Sequence, residues 1–188
     1  MGKEKHLGLE TGIVKLFDHE IFWEEKAYET IKFLKNLFGI IANDIQHIGS
    51  TSIKGIKAKP IIDILVGIDD LKSIDKIRDK LSENGLMYNP KFIYGDIVFT
   101  MGNMEKSIHT HYIHVVKFKS INWNNHINFR DFMNCNEEEA KNYEKIKIES
   151  MKNNEKNIKN YHMGKNKYII EKVIAANDWK NEIDKRKI

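Results

Sequence analysis

Apolar residues recur along this chain with two different periods. Trp23, Ala27, Ile31, Leu34 and Phe38 follow the spacing of one helical face. Asp18 is placed to cap that helix, Glu20 suits its first turn, and Gly39 ends it. Ile13 to Leu16 ahead of it has the length of a short strand. Asp44 to Ile48 reads as another strand. Ile61 to Ile68 reads as a third, too continuously apolar for a surface position and so expected to be buried. Asp70 then caps a helix whose inner face is Leu71, Ile74, Ile77 and Leu81, closing near Gly85.

Three more strands are expected: Leu86 to Tyr88 before the Asn89-Pro90 turn, Ile97 to Met101 ended by Gly102-Asn103, and Ile108 to Phe118 after a loop over Met104 to Ser107. Beyond Ser120 the period becomes helical. Asn136 and Glu139 have loosely the spacing of a capping box, and Ala140 and Tyr143 open the next helical face. A last helix is expected over Ile158 to Trp179 through Tyr161, Ile169, Val173 and Ala176. No internal repeat or linker interrupts the chain, so residues 1–188 read as one domain, with 1–11 and the highly charged 180–188 expected to be flexible.

Composition narrows the class. At 188 residues, 41% hydrophobic and 31% charged, the chain fits one soluble domain with a sizeable core. No apolar run reaches the length of a membrane span, and Met1 to Thr11 lacks the apolar core of a signal peptide. Cys135 is the single cysteine, which excludes an internal disulfide and a multi-cysteine metal site. A cytoplasmic protein without membrane attachment is expected. The net charge of +4 is uneven, since residues 141–188 hold 13 Lys and Arg against 7 Asp and Glu. These lysines alternate with acids and form no continuous basic stripe with exposed aromatics, so nucleic acid is not an expected partner.

The candidate chemistry concentrates between His47 and Ile68. Gly49-Ser50 is a sharp turn after a strand, and the hydroxyls and free N–H groups from Ser50 and Thr51 onward stand at an expected helix start, where anions bind. Lys54, Lys57 and Lys59 lie close by, Lys59 best placed to neutralise a phosphate. Asp63 is then a lone carboxylate inside an apolar strand, costly unless hydrogen-bonded, paired or bound to a cation. In the strand His109 to Val115, alternation puts His109, His111, Ile113 and Val115 on one face and Thr110, Tyr112 and His114 on the other.

The run H-I-G-S-T-S-I-K-G-I-K-A-K-P-I-I-D-I closely resembles the signature of the GrpB family, small proteins assigned to the nucleotidyltransferase superfamily of DNA polymerase beta. Thr110 and His114, Phe129-Arg130-Asp131, Tyr143 with Lys147, and Tyr161 with Gly164-Lys165 fit the same family, over roughly Ile13 to Trp179. The resemblance implies an α+β fold: a nucleotidyltransferase-like mixed β-sheet flanked by helices, with additional C-terminal helices. It also implies a nucleoside triphosphate as substrate and a divalent metal, Mg or Mn, on two carboxylates two residues apart.

Here the corresponding face reads Ile61, Asp63, Leu65, so only one carboxylate is present. His114 is expected to stand where the superfamily places a later carboxylate, and His47 to point into the same cleft, giving Asp63, His114 and His47 as metal ligands of transition-metal character. Gly49, Ser50, Thr51, Lys59, Arg130 and Lys165 are the expected contacts to phosphate or nucleotide. Ser52-Ile53-Lys54 replaces the family's usual Ala-Val-Pro, and Tyr112 replaces a common histidine. Two readings remain open: a nucleotide- or phosphate-binding protein transferring a nucleotidyl group to a small acceptor, or a catalytically degenerate ligand-binding or regulatory protein of the same fold. In either, the partner is a small phosphorylated ligand.

Overall fold

A computed structural model describes residues 5–90, 95–152 and 158–186. Its first helix, α1 (Ile21–Phe38), buries Trp23, Ala27, Leu34 and Phe38, the stripe that the spacing predicts. Gly39, at φ 55°, closes it by donating its N–H to Lys35 O. The start differs from expectation. Glu20, not Asp18, holds the cap position, and no side chain caps the helix. Glu20 instead accepts from the His6 backbone N–H and meets the His6 ring, while Asp18 pairs with Lys57. Ile13 to Leu16 forms no strand; the chain there makes one isolated bridge, Phe17 to Ala58.

The strands are β1 (Leu9–Glu10), β2 (Ala42–Ile48), β3 (Ile62–Ile68), β4 (Met87–Tyr88), β5 (Ile97–Asn103) and β6 (Ile108–Lys117). They form one sheet in the order β2-β3-β6-β5-β4, with β1 also paired to β6. β3 and β6 run parallel and every other pair is antiparallel, so the sheet is mixed. The expected continuous apolar strand is β3, with Ile62, Ile64, Leu65, Val66 and Ile68 all fully buried. β1 falls in a segment expected to be flexible; its pairing with Ile108 and His109 ties it down.

Between β3 and β5, Asp70 caps a 3-10 turn over Leu71–Lys76 by accepting from the Lys72 N–H, and α2 (Arg78–Glu83) follows. The chain ends in three helices: α3 (Ile121–Cys135), α4 (Glu137–Lys152) and α5 (Ile158–Lys185). α5 runs past Trp179, so residues 180–185 are helical rather than frayed, helped by the Lys180–Asp184 pair on one helical face.

The core has three parts. Ile62, Ile64, Val66 and Ile68 of β3 pack with Trp23, Ala27 and Leu34 of α1 on one sheet face. On the other face Ile48, Leu65 and Val116 pack with Trp123 of α3. A third cluster joins Ile53 and Ile56, just after the Gly49 turn, to Phe132, Ala140, Tyr143 and Ala176 of the helical layer. That last cluster brings α4 and α5 against the turn. No helix among the described residues is long and apolar enough to cross a membrane.

Candidate functional site

The site forms where the β2–β3 connection, the β6 strand and the helical layer meet. Gly49 has φ 71°, a conformation that side chains disfavour, and a Cβ placed on it would lie 2.1 Å from Asp63 Oδ2. Only glycine lets the turn sit directly over the carboxylate. Asp63 itself is 26% exposed and so reaches solvent instead of lying in a dry core. Ser50 Oγ is 3.2 Å from the Tyr143 hydroxyl of α4. The expected helix start is a single 3-10 turn, Ser50–Ser52, whose backbone already bonds Ser52 N–H to Gly49 O and Ile53 N–H to Ser50 O. It has no helical dipole to offer an anion.

The β2–β3 connection and α5 supply cations instead. Lys59 Nζ and Lys165 Nζ lie 5.5 and 5.2 Å from the centroid of the Tyr161 ring. Burial lowers Lys59 to about 8, with the Lys165 charge adding to that effect and Asp63 opposing it. Burial also lowers Lys165, again against the pull of Asp63. Among the described residues, neither amino group has a hydrogen-bond or ion-pair partner. Lys147, fully buried on α4, is differently placed: it donates to Lys57 O and lies 4.6 Å from the Tyr143 ring.

His114 meets Asp63 as expected. On the parallel β3–β6 pair, Asp63 is in register with Tyr112 and Leu65 with His114, so all four side chains share a face. His114 Nε2 is 3.6 Å from Asp63 Oδ1, and its Nδ1 is 3.3 Å from Oδ2 of Asp96, which precedes β5. Burial alone would lower His114, but contacts with both carboxylates outweigh it and raise the imidazole to about 9. For Asp96, burial is likewise outweighed, and His114 and His126 hold its carboxyl well below the usual range. His126 Nε2 is 3.0 Å from Asp96 Oδ2, and Asn122 Nδ2 donates to Asp96 Oδ1 at 3.1 Å.

Asp96, His126 and Asn122 were not legible as site residues. The only signal was the i, i+4 spacing of Asn122 and His126 on one helical face. Nothing local in the sequence aims that face at Asp96.

Three expected residues are placed otherwise. His47 is in register with Ile64, whose side chain belongs to the α1-facing core, so its imidazole lies on the opposite face from Asp63. One step along a strand reverses the face. His47 there meets Thr51 Oγ1 at 3.0 Å and lines a surface depression of about 330 Å³ with Ala27, Tyr28 and Ile31 of α1. Thr51 is fully buried, its hydroxyl between His47 and Ile61 O. Arg130 is committed to Gln46 Oε1, His47 O and Asp131 and ties α3 to β2. It lines a second depression of about 440 Å³ with Asp44, Gln46 and Trp123; Asp63 lines neither of the two.

The alternation along β6 also breaks once. Met101 pairs with His111 and Gly102 with His109, leaving Thr110 bulged. The bulge turns His109 onto the Tyr112 face, where its Nδ1 is 3.0 Å from the Tyr112 hydroxyl.

Magnesium held by paired carboxylates does not fit these donors. Asp63 has no carboxylate partner on its strand, and its nearest charged neighbour on β6 is the His114 imidazole.

Fold and site together define an α+β protein whose inner strand carries one partly exposed carboxylate, near one lysine of the β2–β3 connection and one of the C-terminal helical layer. The chain belongs to the GrpB family: the family model described as GrpB protein matches residues 13–175. It is 40% identical over 144 residues to the Glutamate-rich protein GrpB of Alkalihalophilus pseudofirmus, covering 75% of this chain and 83% of that one. It is 31% identical over 161 residues to the UPF0157 protein YqkA of Bacillus subtilis, covering 84% of this chain but 46% of that protein. Among solved structures, the crystal structure of conserved protein GrpB from Enterococcus faecalis superposes with a TM-score of 0.78 at 25% identity, over 86% of this chain and 96% of that one.

Proposed function

We propose that this protein binds a small phosphorylated ligand, a nucleotide in the first instance, in the space between the Gly49 turn and α5. The observation that carries this reading is the pair of amino groups, Lys59 and Lys165, gathered over Tyr161 with only the longer-range pull of Asp63 and no ion pair or hydrogen bond among the described residues. Two mutually repelling, half-desolvated cations are held together at a cost, and a phosphate would relieve it. Ser50 adds a hydroxyl near them, held 3.2 Å from the hydroxyl of the buried Tyr143. The resemblance to the nucleotidyltransferase superfamily supports transfer of a nucleotidyl group to a small acceptor as the finer form of this reading.

The lone carboxylate on β3 favours a second form, binding without transfer. Asp96, the next carboxylate toward Asp63, stands on the far side of the His114 ring and does not share a cation with it directly.

Calorimetry with ATP, GTP and CTP, each with magnesium or manganese, tests the reading. Binding is expected with at least one nucleotide. The double variant Ser50→Ala, Lys59→Ala removes two contacts worth roughly 1.5–3 kcal/mol each to a charged group, so its affinity should drop more than about tenfold. No heat with any nucleotide, with or without metal, would overturn it. Turnover of a bound triphosphate, followed by release of pyrophosphate, separates transfer from binding alone.

A further inference from the structure

We propose that Asp96, His114 and His126 form a binding site for a divalent transition metal such as zinc, coupled through the His114 ring to Asp63. Each of the three offers one ligand atom, and the three atoms all lie within 4.8 Å of one another. Asp96 Oδ2 is 3.0 Å from His126 Nε2 and 3.3 Å from His114 Nδ1. Ligand atoms at bond lengths near 2.1 Å and tetrahedral or octahedral angles stand roughly 3.0–3.4 Å apart, so the two distances from Asp96 already suit a shared cation and the two imidazoles, whose ring centroids are 5.4 Å apart, close on it by side-chain rotation. Two imidazoles and one carboxylate select a first-row transition cation over magnesium or calcium. Three protein ligands leave a position open for water or a ligand atom, the pattern of reactive rather than purely structural zinc sites.

The surroundings support the set. Asn122 fixes the second oxygen of Asp96 at 3.1 Å, leaving Oδ2 for the cation. Asp63 lies 3.6 Å from His114 Nε2, on the side away from Asp96, where a carboxylate orients a metal-bound imidazole and sets its tautomer. The three residues come from the position just before β5, the second half of β6 and α3, so the site assembles only when sheet and helical layer are docked. His126, with a side chain 32% exposed, gives the cation a route from solvent. In the metal-free protein the same groups hold one another as an ion cluster, which is the competing account.

The test uses the full chain, stripped with a chelator, and titrates it with Co²⁺ and Zn²⁺ while recording heat and the visible absorption of cobalt. One equivalent of Co²⁺ is expected to bind with a ligand-field spectrum, displaced by Zn²⁺, and magnesium should give no response. His126→Gln and Asp96→Asn should each weaken binding by about tenfold or more. His126 is only partly buried, so the first variant is tolerable to the fold, which circular dichroism checks. Wild-type protein without stoichiometric cobalt binding overturns the proposal. So does equal binding in wild type and both variants, and so does loss in Asp63→Asn with no loss in Asp96→Asn, which would put the cation between Asp63 and His114. The metal is the only probe, so the result is independent of nucleotide binding: a protein that binds cobalt but no nucleotide keeps this site and loses the phosphate reading, and the reverse removes only this site.

Discussion

At Gly49 the backbone passes so close to Asp63 that no other residue fits without displacing the carboxylate. A Cβ there meets three Asp63 atoms, at 2.1, 2.7 and 2.8 Å. Gly49→Ala also forces a side-chain residue to φ 71°. The variant is expected to lose about 1–3 kcal/mol of stability in urea denaturation and to lose ligand binding with it. A variant as stable as wild type would show that the turn swings clear of Asp63 at little cost. Asp63 illustrates how far a single residue can be read from sequence. A carboxylate inside an apolar strand predicts partners, and it has them; which partners they are depends on the parallel β3–β6 pairing, set by residues about fifty positions away.

Among the elements, α4 carries the most unusual group. Burial lowers the Lys147 amino group to about 7, helped by the Lys165 charge and opposed by Glu144. An unfolded lysine titrates near 10.4, so between pH 7 and that value the unfolded chain binds more protons than the folded one. This group's cost is fully present below about pH 7 and fades as pH rises toward 10. Lys59, lowered to about 8, contributes with the same sign. Lys147→Met should therefore be more stable than wild type near neutral pH, on the order of 2 kcal/mol after losing the bond to Lys57 O, with the gain shrinking as the solution becomes alkaline. Urea midpoints across that range check this; a variant less stable at every pH would sink it.

The elements themselves were largely legible, because α1 buries the face its period announces and β3, β5 and β6 bury the apolar runs between turn residues. Three details were hidden. The Thr110 bulge reverses His109, one step of register removes His47, and Asp18 is drawn from capping to Lys57. Each depends on contacts between distant elements and leaves no mark on local spacing.

At the scale of the molecule, one sheet is covered by α1 on one side and by α3 on the other, and the site lies where the helical layer meets the strand ends. This explains why the lysines near the Gly49 turn stand out in the sequence but Asp96 and His126 do not. Lysines near a glycine turn are visible in one window, whereas Asp96, His114 and His126 converge only after sheet and helices pack. The Arg130 clamp has a consequence of its own. β2 is an outermost strand of the sheet, and such a strand offers unpaired backbone groups to any other chain that can add to it. By holding the His47 carbonyl and the Gln46 side chain, Arg130 occupies that rim. Arg130→Ala should leave the chain folded yet more prone than wild type to concentration-dependent association in light scattering, and a variant that scatters as wild type does would show the rim is guarded by other means. The same guanidinium thus anchors a helix and covers a carbonyl of an edge strand.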